Sequence, residues 1–195
     1  MNLPNRLTLS RLAMAVLLIL FLELDYPYFK SLALITFVVA GLTDYLDGYL
    51  ARNVYGVTSF GKLMDPLTDK VIVCAAFVCL TQLQHVRAVV TVIIISREFL
   101  VTGLRLLAME AGKVISAGRW GKHKTVWQIV AIIVILLGIA VRRDLLGGMD
   151  PDFLQDYDLA FKILADAVSI AVAMITAASG WMYLSEHREL YLRHI

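Results

Sequence analysis

The sequence predicts an all-α membrane protein formed as a single domain over residues 1–195. Hydrophobic residues make up 59% of the chain and charged residues only 17%, whereas soluble domains carry about 25% charged residues. The mean hydropathy is +0.75. A soluble domain of this length leaves a large part of its surface in water and cannot bury so much apolar area. Lipid is therefore the expected solvent for the excess.

The apolar residues occur in runs that match membrane-spanning helices. Such a helix needs about 20 residues, because the hydrocarbon core is about 30 Å thick. Six segments are predicted to be transmembrane helices: 12–24, 31–52, 60–84, 87–111, 125–141 and 161–185. The first is short, and residues 3–10 could form a short amphipathic helix on the membrane surface before it. Residues 142–152 form the longest predicted polar connection.

The distribution of basic residues predicts the orientation in the membrane. Lys and Arg are enriched in cytoplasmic loops. The end of the bundle that holds the N-terminus receives Arg6, Arg11, Arg52, Lys62, Lys113, Arg119, Lys122, Lys124, Arg188 and Arg193. The other end receives Lys30, Arg87, Arg142, Arg143 and Lys162, together with several acids. Both termini are therefore expected to be cytoplasmic.

Other protein classes fit poorly. A formal net charge of +2, with no basic run, gives no footprint for nucleic acid. Cys74 and Cys79 lie inside an apolar stretch and are expected to be packing thiols rather than a disulfide framework. The N-terminal segment resembles a signal peptide in its charge but lacks a small-residue cleavage site, so it is predicted to be a retained helix.

Four aspartates flank the loop between the second and third predicted helices. Asp44 and Asp47 are three residues apart, and Asp65 and Asp69 are four apart, so each pair shares a helix face. The two helices are consecutive and should be antiparallel neighbours. The four carboxylates should therefore meet at similar depths below the cytoplasmic surface. Pro66 either begins the third helix or kinks it.

Such a cluster of carboxylates predicts a divalent metal site. Four close carboxylates cannot all stay ionised without cations among them, and Arg52 and Lys70 are a poor match for four acids. Mg²⁺ and Mn²⁺ prefer carboxylate oxygens, and no His or Cys is placed nearby to favour zinc. Two such ions would suit phosphoryl chemistry. An isolated carboxylate often only pairs with a cation or lies at the membrane boundary. For Asp166 such a role is at least as good an explanation as chemistry.

The residues around these aspartates resemble a known signature. Asp44-x-x-Asp47-Gly48-x-x-Ala51-Arg52, then eight residues, then Gly61-x-x-x-Asp65-x-x-x-Asp69 is similar to the motif of the CDP-alcohol phosphatidyltransferases, with every fixed position present. The resemblance implies six spans and an enzyme in which an alcohol hydroxyl displaces CMP from a CDP-linked lipid. It also implies that the four aspartates hold two Mg²⁺ or Mn²⁺ ions, that Asp69 is the catalytic base, and that the enzyme is a homodimer.

The same resemblance implies a pocket for the CDP-lipid. Its residues would be Gly48, Ala51, Arg52 and Gly61. The lack of bulk at Gly48 and Ala51 would let a ligand approach the helix backbone. Asn5 and Thr8, with Arg11, offer donors for diphosphate oxygens, although an amphipathic surface helix would need similar residues.

Three further segments, 2–11, 96–105 and 120–125, resemble the bacterial branch of this family that attaches glycerol 3-phosphate to CDP-diacylglycerol. A phosphate dianion needs a basic pocket, and the candidates are Arg97, Arg105, Arg119, Lys122 and Lys124. For Arg119, Lys122 and Lys124 the positive-inside rule is an equal explanation. For Arg105 snorkelling is an equal explanation, whereas Arg97 lies deeper.

These observations predict a bacterial cytoplasmic-membrane enzyme with its active site facing the cytoplasm. It would transfer the phosphatidyl group of CDP-diacylglycerol to glycerol 3-phosphate and release CMP. One alternative is a family member with another acceptor alcohol, such as the phosphatidylglycerol used in cardiolipin synthesis. The other is a divalent-cation transporter, which would need a polar path to the far side of the membrane.

Overall fold

The computed structural model describes the backbone of residues 3–54, 59–110, 119–186 and 188, and the side chains of residues 10–43, 70–109, 124–186 and 188. The described backbone contains helices and no strands, which confirms the all-α prediction. The helices are α1 (Leu3–Glu23), α2 (Phe29–Val54), α3 (Ser59–Gln82), α4 (Ala88–Glu110), α5 (Arg119–Ala140) and α6 (Pro151–Glu186). A single turn of π-helix, Val141–Leu145, extends α5.

The six helices pack around one apolar core. Helix α1 lies against α2 and α3, α5 lies against α2 and α6, and α4 lies against α6 and α3. Buried side chains from all six helices meet there, including Leu18, Ala33, Phe77, Ile94, Ile135 and Ala165. Small residues such as Ala165 let neighbouring helix backbones approach closely, as is common between helices in membranes.

The surface of this bundle is apolar, and several of its interior positions are polar. Large apolar side chains such as Val16, Val89 and Trp181 point outward, and Trp181 is 75% exposed. Buried positions include Glu98 and Gln128. Such a large apolar exterior is unusual for a soluble monomer, whereas ionisable residues in membrane proteins almost always face the bundle interior. The distribution suits a protein surrounded by lipid.

Among the residues that the structure describes, two helices are long and apolar enough to cross a bilayer. They are Lys124–Leu145 and Pro151–Glu186, and the described residues also include shorter apolar helices at Phe29–Thr43 and Lys70–Gln82. Six spans therefore remain a prediction.

The first helix differs from its predicted form. The sequence allowed a short surface helix over residues 3–10 before a span at 12–24, but α1 is one uninterrupted helix from Leu3 to Glu23. Pro4 lies in its first turn, where proline interrupts no backbone hydrogen bond. No helix-breaking residue follows until the helix ends, so the backbone continues without a boundary.

The last helix begins earlier than predicted. The expected polar connection 142–152 is shorter, because the π-helical turn ends at Leu145 and α6 begins at Pro151. A carboxylate oxygen of Asp150 accepts a hydrogen bond from the Asp152 backbone N–H at 2.9 Å, and Pro151 takes the first helical position. Asp150, one of the acids that predicted a loop here, therefore caps the start of a helix.

Polar contacts tie the helices together at the end of the bundle opposite the aspartate motif. The Lys30 ammonium donates to the carbonyl oxygens of Leu22 at 2.7 Å and Leu24 at 3.0 Å, which satisfies the C-terminus of α1. The Asp144 carboxylate accepts from the Ser31 backbone N–H at 2.7 Å and from its hydroxyl at 2.6 Å. Asp144 thereby joins the end of α5 to the start of α2.

Asp166 and the two cysteines have the structural roles that the sequence suggested. Asp166 pairs with Arg87 through two hydrogen bonds of 3.2 Å, so the pairing role is confirmed. Cys79 is buried in the apolar core, Cys74 is partly buried and neither forms a disulfide, as expected for packing thiols.

Candidate active site

The four motif aspartates lie on two helices. Asp44 and Asp47 belong to α2, and Asp65 and Asp69 belong to α3. Each pair therefore lies on one continuous helix, as its spacing requires. Helix α3 begins at Ser59, so the prediction that Pro66 could begin this helix is wrong.

Many of the predicted site residues have side chains outside the described part of the chain. They are Asn5, Thr8, Asp44, Asp47, Gly48, Ala51, Arg52, Gly61, Asp65, Asp69, Arg119 and Lys122. Their backbones belong to α1, α2, α3 and α5, and their roles remain predictions. Among the described side chains, no group of three or more His, Cys, Asp or Glu could hold a metal ion. Carboxylates paired on α2 and on α3 are the donor set that suits Mg²⁺ or Mn²⁺.

Lys70, which follows Asp69 in the sequence, belongs to a largely buried cluster of polar side chains. We call it the Glu98 cluster: Lys70 on α3, Arg97, Glu98 and Thr102 on α4, Lys124 and Gln128 on α5, and Thr176 and Ser179 on α6. Its members come from four helices, so only the tertiary fold brings them together.

Glu98 lies at the centre of this cluster, and its side chain is only 8% exposed. One carboxylate oxygen, Oε1, forms an ion pair with Lys124 and lies 3.6 Å from Nη1 of Arg97. Gln128 Nε2 donates to the same oxygen at 3.4 Å. The other oxygen, Oε2, lies 3.7 Å from Nζ of Lys70. One carboxylate therefore contacts three cations.

Lys70 connects the cluster to the aspartate-bearing helix. Its ammonium donates to the Glu98 carbonyl oxygen at 3.3 Å and to the Thr102 hydroxyl oxygen. The Thr102 hydroxyl in turn donates to the Glu98 carbonyl oxygen at 2.6 Å. Because Lys70 directly follows Asp69 in the sequence, the Glu98 cluster adjoins the predicted catalytic base.

Helix α6 supplies polar partners and space. The Arg97 guanidinium donates through Nη2 to the Ser179 hydroxyl at 2.9 Å, and Gln128 donates to the Thr176 hydroxyl at 3.3 Å. A Cβ atom at Gly180 would lie 3.0 Å from Cγ of Arg97. The absence of a side chain at Gly180 therefore lets the arginine stem lie against the α6 backbone.

The cluster has an excess of positive charge and an unused donor. Among the described side chains, the three cations Lys70, Arg97 and Lys124 surround the single carboxylate of Glu98. The buried Nε atoms of Arg97 and Arg105 have no hydrogen-bond partner among the described residues. Buried donors are rarely left unpaired. The arrangement is therefore suited to an anionic ligand.

The structure brings together some of the predicted acceptor-binding residues. Arg97 and Lys124 meet at Glu98, and the Lys124 side chain is 3% exposed. Arg105 is partly buried eight residues further along α4. Lys70 and Gln128 were not among the predicted acceptor-binding residues. The rule that ionisable residues inside membrane helices are functional candidates would have identified Lys70.

A largely apolar groove adjoins the cluster. It has a volume of about 370 Å³ and lies between α1, α3 and α4. Lys70, Glu98 and Thr102 line it, together with apolar residues such as Val71 and Val78, and Glu23 and Gln82 also line it near the ends of α1 and α3. The groove thus offers an apolar surface that reaches a charged site.

Comparison with known proteins identifies the class. The helical bundle, its apolar exterior and its polar interior positions are those of a membrane protein. The sequence profile of the CDP-alcohol phosphatidyltransferase family matches residues 1–173. The chain therefore belongs to that family, and the resemblance of its aspartate motif is confirmed.

Individual relatives agree with this assignment. The chain is 35% identical to the CDP-diacylglycerol–glycerol-3-phosphate 3-phosphatidyltransferase of Bacillus subtilis, with 96% of each chain covered. It is 37% identical to the protein of the same name from Rickettsia bellii, over 70% of this chain and 76% of the relative. It is also 37% identical to that from Pseudomonas fluorescens, over 70% and 72%.

Proposed function

We propose that this protein transfers the phosphatidyl group of CDP-diacylglycerol to glycerol 3-phosphate, forming phosphatidylglycerophosphate and CMP. Relatives that carry this activity in their names support the pair of substrates. The observation that carries the choice of acceptor is the Glu98 cluster, a buried site with an excess of positive charge beside the aspartate-bearing helix.

The carboxylates of Asp44, Asp47, Asp65 and Asp69 would hold two divalent ions, Mg²⁺ or Mn²⁺. When bound, such ions neutralise negative charge on the diphosphate and on the departing CMP. The pairing of these carboxylates on two continuous helices supports the proposal.

Asp69 acts as the general base of the reaction. It takes the proton from the attacking hydroxyl of glycerol 3-phosphate as the new phosphate ester bond forms and the bond to CMP breaks. Gly48, Ala51, Arg52 and Gly61 contact the CDP portion, and Asn5 and Thr8 donate to its diphosphate. These roles rest on the match to the family motif.

The phosphate of the acceptor binds at the Glu98 cluster. Arg97 and Lys124 contact it, and Arg105, Arg119 and Lys122 surround its entry from the cytoplasm. The unpaired Nε atoms of Arg97 and Arg105 support this placement, because a phosphate oxygen is a strong acceptor for a guanidinium donor.

The proposed protein is a homodimer in a bacterial cytoplasmic membrane, with six spans, both termini in the cytoplasm and the active site on that side. The groove between α1, α3 and α4 would accommodate an acyl chain of the lipid substrate, because it is apolar and reaches Lys70. The distribution of Lys and Arg supports the orientation.

Release of CMP by the purified protein tests the proposed reaction. With CDP-diacylglycerol and Mg²⁺ present, CMP release should require glycerol 3-phosphate. Glycerol, serine, inositol phosphate and phosphatidylglycerol should give little, and a chelator should abolish the reaction.

Each other outcome of the assay has a defined meaning. Release with phosphatidylglycerol instead would indicate cardiolipin synthesis and would contradict the placement of the acceptor phosphate. Failure of every alcohol tested to give CMP release would contradict the proposed transfer reaction. Membership of the CDP-alcohol phosphatidyltransferase family argues against the cation transporter.

A further inference from the structure

We propose that Glu98 is a positioning residue that holds the cations of the acceptor-phosphate site in the geometry that binds the phosphate. The inference rests on the proposed function, because it assigns a role within that site. Glu98 itself does not contact the acceptor; it acts through the cations that do.

The geometric part of the argument is the number of helices that Glu98 connects. Its carboxylate reaches Lys70 on α3, Arg97 on its own helix, and Lys124 and Gln128 on α5. Lys and Arg side chains lose substantial rotamer entropy when they are held in one position. A shared, buried carboxylate fixes the positions of these cations before any ligand arrives, and such preorganisation favours binding.

The electrostatic part concerns the balance of charge. Cations held close together without a counter-charge repel one another strongly in a medium of low dielectric constant. Arg97 and Lys124 both contact Oε1 of Glu98, so the carboxylate offsets their repulsion while no ligand is bound. Without the carboxylate the two cations would move apart and lose the geometry that the phosphate requires.

Glu98 also leaves one donor of Arg97 available. Arg97 uses Nη1 towards Glu98 and Nη2 towards Ser179, and its buried Nε has no hydrogen-bond partner among the described residues. The contacts of Glu98 and Ser179 therefore fix the orientation of the guanidinium without using Nε. A phosphate oxygen is the acceptor that this donor lacks.

Two substitutions of Glu98 separate charge from shape. Glu98→Gln keeps the shape but removes the charge, and Glu98→Asp keeps the charge with a shorter side chain. Without the negative charge, Arg97 and Lys124 lose the contact that holds them in place, and their mutual repulsion is no longer offset. Glu98→Gln should therefore raise the KM for glycerol 3-phosphate by about tenfold or more, with a much smaller change in the KM for CDP-diacylglycerol. Glu98→Asp should recover a large part of the loss.

Asp166→Asn is the matched control. This substitution also removes a carboxylate that pairs with an arginine, because Asp166 pairs with Arg87, the residue just before α4. Asp166 lies outside the Glu98 cluster. Both kinetic constants of this variant should stay within about twofold of the wild type, because an exposed ion pair contributes little. Thermal unfolding in the same detergent would establish that each variant is folded.

Specific outcomes would overturn the inference. Equal changes in the KM values of both substrates, or a Glu98→Asp variant no better than Glu98→Gln, would mean that Glu98 has only a structural role. If Glu98→Gln does not fold, Glu98→Asp supplies the test, with an acceptor-specific KM increase expected and an unchanged KM overturning the inference. A wild-type protein that does not use glycerol 3-phosphate would instead contradict the proposed function itself.

Discussion

Single ionisable residues inside this bundle are informative because each is costly to place there. A charged side chain at the centre of a membrane helix costs about 3 kcal/mol on insertion scales, so such residues persist where they are paired or functional. The Glu98 carboxylate is paired with three cations, Lys70, Arg97 and Lys124. Among the described side chains, the Asp166 carboxylate is paired with one cation, Arg87. The number and depth of the partners distinguish a candidate site from a simple ion pair.

At the residue scale, Asp69→Asn should abolish transfer while CDP-diacylglycerol binding is largely retained. The amide cannot accept the hydroxyl proton, and general base catalysis contributes about 10²–10⁴-fold to a rate. CMP release measures the rate of transfer, and an equilibrium binding assay measures the affinity for CDP-diacylglycerol. Asp166→Asn is again the control. Turnover close to the wild-type rate in Asp69→Asn would remove Asp69 from its role as the base.

At the scale of helices, close packing of α5 on α6 depends on Gly138. A Cβ atom there would overlap the ring of Phe161, which is buried and packs against His85 and Tyr157. The Tyr157 hydroxyl donates to the Gly138 carbonyl oxygen at 2.9 Å. Neither the ring nor the backbone can move away without loss of these contacts.

Gly138→Ala should therefore lower the thermal unfolding midpoint of the protein in detergent. Overpacking of this kind typically costs about 1–3 kcal/mol. Gly41→Ala on α2 is the matched control, because a Cβ atom there has no neighbour within 4 Å, and it should not lower the midpoint. Equal midpoints for the two variants would show that the α5–α6 contact tolerates a methyl group.

At the scale of the whole molecule, the proposed topology can be tested at two exposed positions. With six spans, both termini would lie on one side of the membrane and the connection between Leu145 and Pro151 on the other, and the distribution of Lys and Arg predicts that the termini are cytoplasmic. Met149 in that connection is 54% exposed, and Glu186 at the end of α6 is also exposed. Both positions are suitable for a reactive cysteine.

A membrane-impermeant thiol reagent should label Met149→Cys on intact cells and should label Glu186→Cys only after lysis. The wild-type chain is the control, since its two cysteines are partly or fully buried. The reverse pattern would invert the proposed orientation. Labelling of both variants from outside would contradict a cytoplasmic C-terminus.

The sequence by itself determined the helical class, the family and the candidate metal ligands. Long apolar runs can satisfy their backbone groups in lipid only as helices or closed barrels, and the spacing of Asp44, Asp47, Asp65 and Asp69 is a property of the chain alone. Helix ends were less predictable. Pro4 and Asp150 extend helices that polarity suggested would be interrupted or delayed, because capping is a local geometric effect that composition does not reveal.

Only the tertiary structure decided which buried polar residues form one site. Lys70, Glu98, Lys124 and Thr176 are spread over more than a hundred residues of sequence and belong to four helices. Helix periodicity gives the face on which each side chain lies, but the neighbour of that face depends on how the helices pack. The packing of α3, α4, α5 and α6 places three cations around one carboxylate, and that arrangement is what the sequence could not supply.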